Sequence, residues 1–244
     1  MNMLRKEAPR GVCELKLLQK YGASNVPRYT SYPTAPHFND KVSADNYRQW
    51  LGELGPDEAI SLYLHVPFCE ALCWYCGCAA QVARKYGPVS EYARVMEREI
   101  ETVTHYLRTP GPVRHLHWGG GSPNRLNASD FFSLMSLLRR HFEFSDDAEL
   151  AIEIDPRNVE PGDIRELADI GLNRASLGVQ DFDPDVQKAV NRLQSVEQTL
   201  EVIDACRDSG FRSVNVDLIY GLPRQSLVGF ETTLDTVIDA RPDR

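Results

Sequence analysis

Four cysteines stand within ten residues of this chain, Cys69, Cys73, Cys76 and Cys78, in the stretch HVPFCEALCWYCGCAAQ at 65–81. Thiols at such spacing can pair as disulfides, bind a zinc ion, ligate an iron–sulfur cluster or pack as small apolar side chains. Packing alone does not explain four of them in a loop that also contains glycine and aromatic residues. The loop is therefore expected to bind a metal centre or to cross-link the chain.

The rest of the sequence favours a metal centre over disulfides. The first twenty residues carry scattered charges without the apolar core of a secretory signal, and no later stretch approaches the length of a membrane span. Disulfides are rare in the reducing cytosol. We therefore expect a cytoplasmic protein with reduced cysteines and no membrane partner.

The cysteine spacing favours a cluster over a single zinc ion. Four-cysteine zinc sites usually take two separated pairs, whereas Cys13 and Cys206 are distant and single. Cys78 could supply a fourth ligand, but Cys76-x-Cys78 is a tight spacing for one ion. The Cys-x3-Cys-x2-Cys run offers three thiolates to a 4Fe–4S cluster and leaves one iron open. A zinc-stabilised binding module stays open as an alternative.

The composition is that of an ordinary globular protein. The chain has 244 residues, of which 42% are hydrophobic and 25% are charged, and its formal net charge is −8. A nucleic-acid surface needs a strong basic excess, which this sequence does not have. We expect no nucleic-acid partner, and we expect a monomer.

Short strand patterns alternate with helix patterns from residue 60 onward. We predict strands at 60–66, 113–118, 149–155, 174–180 and 213–220, and helices at 43–54, 90–108, 128–142, 161–171, 195–210 and 226–240. Ser43, Ser90 and Ser195 are predicted N-caps, and Gln198 is predicted to complete a capping box with Ser195. The alternation indicates parallel strands and an α/β fold.

One face of each predicted strand is polar. The apolar face includes Leu64, Trp118 and Ile152, and the other face carries Tyr63, His65, His115, His117, Glu153, Asp155, Ser176, Gly178, Gln180, Asn215 and Asp217. An open parallel sheet is normally apolar on both faces, because helices cover both. The pattern therefore predicts a partial (β/α) barrel of about five parallel strands around a polar cavity. Asp217 lies within an apolar strand, so we expect a buried charge there that needs a partner.

The unusual residues follow the carboxyl ends of the strands, where barrels of this kind place their chemistry. The cysteine loop follows the first strand, and GGGSP at 119–123 follows the second. A glycine run lets the backbone approach a ligand closely, and this one is neither a P-loop nor a GxGxxG fingerprint. We expect these segments to converge on one rim.

The cysteine loop after the first strand, together with the glycine run, resembles the radical S-adenosylmethionine (SAM) superfamily. The resemblance implies that three cysteines hold a 4Fe–4S cluster and that the open iron takes the amino and carboxylate groups of SAM. It also implies one-electron cleavage of SAM to a 5′-deoxyadenosyl radical, which abstracts a hydrogen atom from the substrate.

A longer run of segments resembles the family of oxygen-independent coproporphyrinogen III oxidases, from about residue 20 to the end. These segments are PRYTSYPTA, LYLHVPFC, CWYCGC, HLHWGGGSP, IEIDPR, LGVQDF, VNR and DLIYGLP. The resemblance implies oxidative decarboxylation of two propionates of coproporphyrinogen III to vinyl groups in heme biosynthesis, with an electron donor that the sequence does not identify. A heme-binding chaperone of the same superfamily is the alternative, with His65, His115 and His117 as candidate iron ligands.

The same resemblance assigns roles to individual residues. Cys69, Cys73 and Cys76 would ligate the cluster, and Cys78 would be catalytic without being a ligand. The residues implied to contact SAM are Tyr63, Tyr75, Gly120, Gly121, Ser122, Glu153, Gln180, Arg192 and Asp217. Tyr75 stands where the family pattern has Phe, and Ser122 where Thr is common.

The family pattern also sets an expectation for the domains. We expect an irregular N-terminal extension at 1–59, which contains the PRYTSYPT segment, and a radical SAM core at 60–244. The enzymes of the family are much longer, so the core is expected to be truncated before a sixth strand.

Arg28, in the PRYTSYPT segment, is a candidate contact for the substrate, because coproporphyrinogen III carries four carboxylates and this acidic chain needs a local cation to bind them. Arg28→Ala should raise the KM for coproporphyrinogen III and leave SAM cleavage unchanged. Steady-state kinetics with a separate SAM-cleavage assay measure both quantities. An unchanged KM would remove Arg28 from the substrate site.

Overall fold

The main strands lie where the alternating pattern predicts them. A computed structural model describes Lys20 and residues 34–244. The strands are Ile60–Val66 (β1), Phe68–Cys69 (β2), Gln81–Val82 (β3), Val113–Gly120 (β4), Phe144–Ile154 (β5), Arg174–Gln180 (β6) and Ser213–Leu218 (β7). Strand β7 thus ends two residues before its predicted end, and β5 begins five residues before its predicted start.

The α-helices of the described residues are Ala44–Glu53 (α1), Gly87–Tyr106 (α2), Ala128–His141 (α3), Pro161–Ile170 (α4), Pro184–Ala189 (α5), Val196–Asp208 (α6) and Leu227–Ala240 (α7). Helices α2 to α6 connect the strands of the sheet, whereas α1 precedes β1 and α7 follows β7. Short 3-10 helices cover Ala35–His37, Pro123–Arg125 and Pro156–Asn158.

Five strands form one sheet in the order β1-β4-β5-β6-β7, and each neighbouring pair is parallel. Strands that are sequential along the chain in this sheet are also neighbours in space, with a helix in each crossover. The predicted α/β fold with five parallel strands is therefore confirmed. The two-residue strands β2 and β3 form a separate parallel pair, which joins the two ends of the cysteine loop.

The two faces of the sheet differ as the alternation predicts. One register row crosses all five strands through Leu64, Trp118, Ile152, Ala175 and Val214, and each of these side chains is buried. Hydrophobic burial of this row against the helices is the main stabilising term of the core. The polar row Glu153, Ser176 and Asn215 lies on the opposite face.

Two predicted helix starts are confirmed by their capping bonds. The Ser43 hydroxyl accepts from the Asn46 N–H at 3.3 Å, and the Ser195 hydroxyl accepts from the Gln198 N–H at 3.1 Å. The second half of the predicted capping box is wrong. The Gln198 side chain donates instead to the Arg157 carbonyl at 3.3 Å, because α6 packs against the segment that follows β5.

Ser90 is not an N-cap, which corrects that prediction. Helix α2 begins at Gly87 with Tyr86 as its N-cap, and Pro88 occupies the first turn, where its fixed φ favours helix initiation. Helix α5 was not predicted. Its six residues are too few for a periodic pattern, although Asp183 before Pro184 is a typical start signal, and Asp183 caps the helix.

The chain divides into two compact units, Met1–Asn46 and Tyr47–Arg244. The first unit is described at Lys20 and at residues 34–46, and it contains the short helix Ala35–His37. Arg28 and the rest of the segment 27–33 lie outside the described residues. The predicted boundary between residues 59 and 60 stays a prediction.

Among the described residues, each helix is too short or too polar to cross a bilayer.

The contact between Trp118 and Phe131 offers a test of the core. The two rings meet edge to face with centroids 4.8 Å apart, and both side chains are fully buried. Phe131→Ala should lower the free energy of unfolding by about 3–5 kcal/mol, because it leaves a cavity under β4. Urea denaturation followed by circular dichroism measures the change.

Phe132 is the matched control, because it is the same residue type one position along α3 and is 64% exposed. Phe132→Ala should change the free energy of unfolding by less than about 0.5 kcal/mol. Equal losses for the two variants would contradict the packing assigned to this face of α3.

Candidate functional site

A cavity of about 170 Å³ lies at the carboxyl end of the sheet. The predicted site residues that line it are Cys69, Cys73, Tyr75, Cys76, Cys78, Gly120, Gly121, Ser122, Glu153, Gln180, Arg192 and Asp217. Of the predicted set, Tyr63 does not line this cavity, and Arg28 lies outside the described residues. The predicted convergence of the loops on one rim is therefore confirmed.

A larger cavity of about 340 Å³ lies along β1 and α2. It contains no cysteine and none of the glycine run among its lining residues. We place the functional site in the smaller cavity, because the residues able to do chemistry meet there.

Hydrogen bonds hold the cysteine loop against the segment that follows β6. The Trp74 N–H donates to the Val190 carbonyl at 3.0 Å, and the Asn191 amide donates to the Leu72 carbonyl at 2.8 Å. In sheet order, β1 and β6 are separated by two strands, so these bonds require the loops to close over the polar face. This closure is what a partial barrel needs.

The cysteine sulfurs contact three polar side chains. The Ser122 hydroxyl lies 3.7 Å from Cys69 Sγ, while Arg157 Nη2 and Arg192 Nη1 lie 3.8 Å and 3.5 Å from Cys73 Sγ. Burial raises the pKa of the Cys69 thiol, and burial together with the nearby Cys76 raises the pKa of Cys78. The site thus holds two thiols of raised pKa, Cys69 and Cys78, and two guanidinium groups beside Cys73.

The four thiols border one cavity without converging on one point. In the part of the chain that the structure describes, no group of three or more His, Cys, Asp or Glu side chains is arranged to hold a metal ion. The five cysteines in that part are all free of disulfide bonds.

The glycine run brings backbone against the start of the cysteine loop. The Gly121 N–H donates to the Val66 carbonyl and the Ser122 N–H donates to the Phe68 carbonyl, both at 2.8 Å. A Cβ on Gly121 would lie 2.8 Å from the Phe68 carbonyl oxygen and 3.0 Å from Cys69 Sγ. Gly120 has φ +120°, a conformation that favours glycine. Side chains are therefore excluded at both positions.

Asp155 binds two arginines at the floor of the cavity. Arg157 donates Nε to Oδ1 at 2.9 Å and Nη2 to Oδ2 at 2.6 Å, and Arg192 Nη2 lies 3.4 Å from Oδ1. Burial alone would raise the pKa of this carboxyl, but the hydrogen bonds and charges of Arg157 and Arg192 hold it below its usual range. The carboxylate is therefore ionised and paired on both sides.

Arg157 was not among the predicted site residues. It follows Asp155 by two positions in the segment IEIDPR, but nothing local to that segment shows that its side chain turns toward Cys73, 84 residues away. The sequence signal that could have pointed to Arg157 is a cation two positions after the acidic residue at the end of a predicted strand.

Glu153 links the glycine run to a histidine. Its Oε1 lies 3.1 Å from His117 Nε2, and its Oε2 accepts from the Gly120 N–H at 3.2 Å. The Tyr63 ring stacks on His117, and its hydroxyl lies 3.0 Å from His65 Nδ1. Tyr63 is thus placed beside the site, on the same polar face, rather than in the cavity wall.

Asp217 is exposed, so the expectation of a buried charge is wrong. The reason is its strand, because β7 is an edge of the sheet and its polar face stays open to solvent. The Ser176 hydroxyl donates to Asp217 Oδ2 at 2.9 Å and fixes the carboxylate at the rim. Gln180, with φ +72°, ends β6 next to it.

Tyr75 anchors the cysteine loop through its ring. It packs against the small buried cluster of Val186, Val190 and Leu222, and it borders the cavity. Burial raises the pKa of its phenol well above the usual range. A tyrosine at this position therefore stays neutral and acts through its aromatic surface.

Arg192 borders the cavity and carries a buried donor without a partner among the described residues. Its side chain is 8% exposed, and its Nε–H is buried without a hydrogen-bond partner among the described residues. An unpartnered buried donor on a cation is costly unless an anion completes it. The donor set thus fits an anionic group such as a carboxylate in the cavity, next to thiols that can ligate iron.

These features define an α/β protein whose cysteine loop and glycine run meet at the carboxyl end of a parallel sheet. The sequence profile of the radical SAM superfamily matches residues 63–237. The chain belongs to the radical SAM superfamily.

Within this superfamily, the chain is similar to proteins that share one enzyme name. The chain is 45% identical over 228 residues to the oxygen-independent coproporphyrinogen III oxidase of Bradyrhizobium diazoefficiens, covering 93% of this chain and 51% of that one. It is 43% identical over 231 residues to the enzyme of that name from Escherichia coli K12, covering 95% and 50% of the two chains. The chain therefore spans about half the length of the relatives it matches.

A solved structure shows the same fold. The structure of coproporphyrinogen III oxidase from Escherichia coli, a radical SAM enzyme, superimposes with a TM-score of 0.85 at 41% identity. The match covers 93% of this chain and 50% of that chain.

Gly121 gives a test of the close approach between the glycine run and the cysteine loop. Gly121→Ala should lower the free energy of unfolding by about 1–3 kcal/mol, because the new methyl group overlaps the Phe68 backbone and one of the two segments must move. Chemical denaturation monitored by tryptophan fluorescence measures the change.

Gly162→Ala is the control, because a Cβ there meets nothing within 4 Å. Gly162 lies in the first turn of α4, where alanine should be neutral or stabilising by up to about 1 kcal/mol. If Gly121→Ala proved as stable as Gly162→Ala, the tight packing of the glycine run would be refuted.

Proposed function

We propose that this chain is the radical SAM core of an oxygen-independent coproporphyrinogen III oxidase. The reaction is the oxidative decarboxylation of two propionate side chains of coproporphyrinogen III, which yields protoporphyrinogen IX and CO2 in heme biosynthesis. The observation that carries the proposal is the single cavity where three cysteines, the glycine run and Arg192 meet. The relatives that bear this enzyme name at 45% and 43% identity support it.

Cys69, Cys73 and Cys76 are the residues that would hold the 4Fe–4S cluster. They border the cavity together, and thiolates are the usual ligands of such clusters. When bound, the cluster and SAM supply a one-electron cleavage that produces the radical for hydrogen abstraction. Cys78 borders the same cavity and is the proposed catalytic residue outside the ligand set.

The chain's own residues would bind and orient SAM. Arg192 borders the cavity, and its guanidinium can pair with the carboxylate of SAM. Glu153 and Asp217 are acceptors at the two sides of the cavity, suited to an amino group and to ribose hydroxyls. Gly120 and Gly121 keep the wall free of side chains, so that backbone groups can approach the bound molecule.

Two of the three candidate histidines already have partners, which disfavours the heme-carrier alternative. His65 Nε2 lies 2.8 Å from the Ala79 carbonyl and its Nδ1 contacts Tyr63, while His117 Nε2 contacts Glu153. Binding heme iron through these nitrogens would break those bonds.

The partners remain part of the proposal. Coproporphyrinogen III is the substrate. SAM cleavage would need an external one-electron donor, and a one-electron acceptor would have to take the electron that each substrate radical gives up as CO2 leaves. We keep the expectation that the protein acts as a monomer.

Anaerobic reconstitution with iron and sulfide tests the cluster ligands. The chain should bind about four iron and four sulfide ions and turn brown, because three thiolates suffice to hold a 4Fe–4S cluster. Cys69→Ser, Cys73→Ser and Cys76→Ser should each lose most of the iron. Cys78→Ser should keep it, and so should Cys206→Ala, a change at a buried cysteine of α6 away from the cavity.

Colorimetric iron and sulfide analysis with absorption spectroscopy gives these values. Binding of zinc without sulfide would contradict the cluster and favour the zinc module. Iron loss in Cys78→Ser equal to that in Cys76→Ser would contradict the ligand set.

Product analysis then tests the reaction. The reconstituted protein is incubated with SAM, dithionite and coproporphyrinogen III, and porphyrins are separated by liquid chromatography while CO2 is measured. Protoporphyrinogen IX with CO2 supports the proposal. Tight binding of heme without CO2 release favours the carrier instead.

A further inference from the structure

Two guanidinium groups contact the sulfur of Cys73. Among the described residues, the other two proposed cluster cysteines have no cation within hydrogen-bond distance. Arg157 Nη2 lies 3.8 Å and Arg192 Nη1 lies 3.5 Å from Cys73 Sγ. Both are long contacts of the kind that sulfur forms, and both come from side chains that are largely buried. The positive charge around the proposed cluster is therefore concentrated at one corner.

Asp155 holds the two guanidinium groups in place. Its carboxylate accepts two bonds from Arg157 in forked geometry and lies 3.4 Å from Arg192. The side chain of Asp155 is 7% exposed, so the ion pairs are shielded from solvent. Two cations and one anion leave a net positive charge at this corner, in a region where charges interact strongly.

The two arginines are not equivalent. Arg192 borders the cavity, and its buried Nε–H has no partner among the described residues. The guanidinium of Arg157 donates to Asp155 and also contacts the sulfur of Cys73. The backbone carbonyl of Arg157 accepts from the Gln198 side chain at 3.3 Å. Arg157 thus borders the cavity while its Nε and Nη2 donors lie on Asp155 and Cys73.

Resting on the proposed function, we propose that Arg157 is a positioning residue that raises the reduction potential of the cluster through Cys73. Reduction of a 4Fe–4S cluster adds one electron and hence one negative charge, which a guanidinium at a ligand sulfur stabilises. Hydrogen bonds to the sulfurs and the local net charge are known determinants of cluster potentials. Asp155 fixes the direction of the guanidinium toward Cys73.

The test compares the reconstituted 244-residue chain with Arg157→Gln and Arg157→Lys. Each protein is titrated anaerobically with dithionite, and the reduced cluster is followed by electron paramagnetic resonance. Arg165→Gln is the control, because it removes the same charge from an exposed position in α4. Iron and sulfide content is measured for every sample.

We expect Arg157→Gln to keep its iron and sulfide and to have a more negative midpoint potential than the wild type. Arg157→Lys should lie between the two, because it keeps the charge but loses the fork that aims it. Arg165→Gln should match the wild type. A wild-type potential in Arg157→Gln, or a shift to a more positive value, would overturn the proposal.

The outcomes separate this inference from the proposed function. A wild-type chain that takes up no iron and sulfide would overturn the proposed function, and this inference with it. A loaded wild type with an unshifted Arg157→Gln would overturn the inference alone. Loss of the cluster from both Arg157 variants would show a purely structural role and would also overturn it.

Discussion

The buried carboxylate of Asp155 is the interaction on which the site depends. A buried charge is costly, and only good geometry with several hydrogen bonds offsets the desolvation. Asp155 meets this condition through Arg157 and Arg192, which come from segments after β5 and after β6. Both arginines also reach Cys73, which follows β1. One ionic cluster therefore ties together three of the loops at the carboxyl end of the sheet.

The sheet makes this arrangement possible because one of its faces is apolar and buried and the other carries polar side chains. The buried row from Leu64 to Val214 packs under the helices and stabilises the fold. That burial leaves the opposite face free to carry polar groups such as Glu153 and Ser176. The loops then close over the polar face, and the cavity is formed by residues that are far apart in the chain.

Much of this organisation could be predicted from the sequence, and the failures have physical causes. The strand periods, the caps at Ser43 and Ser195 and the cysteine spacing depend on neighbouring residues, so local patterns reveal them. Ser90 lies inside the helix instead of capping it, because Pro88 starts the helix earlier. Arg157 is not revealed by a local pattern, because its contact with Cys73 spans the fold.

The sequence by itself determined the α/β class, the polar and apolar faces of the strands and the four cysteines in one loop, because strand period and motif spacing are properties of adjacent positions. Only the tertiary structure decided which charges are buried and which are paired. Asp217 is exposed at the edge strand, whereas Asp155 is buried between two arginines. Burial and pairing depend on which distant segments fold against a residue, and no local pattern contains that information.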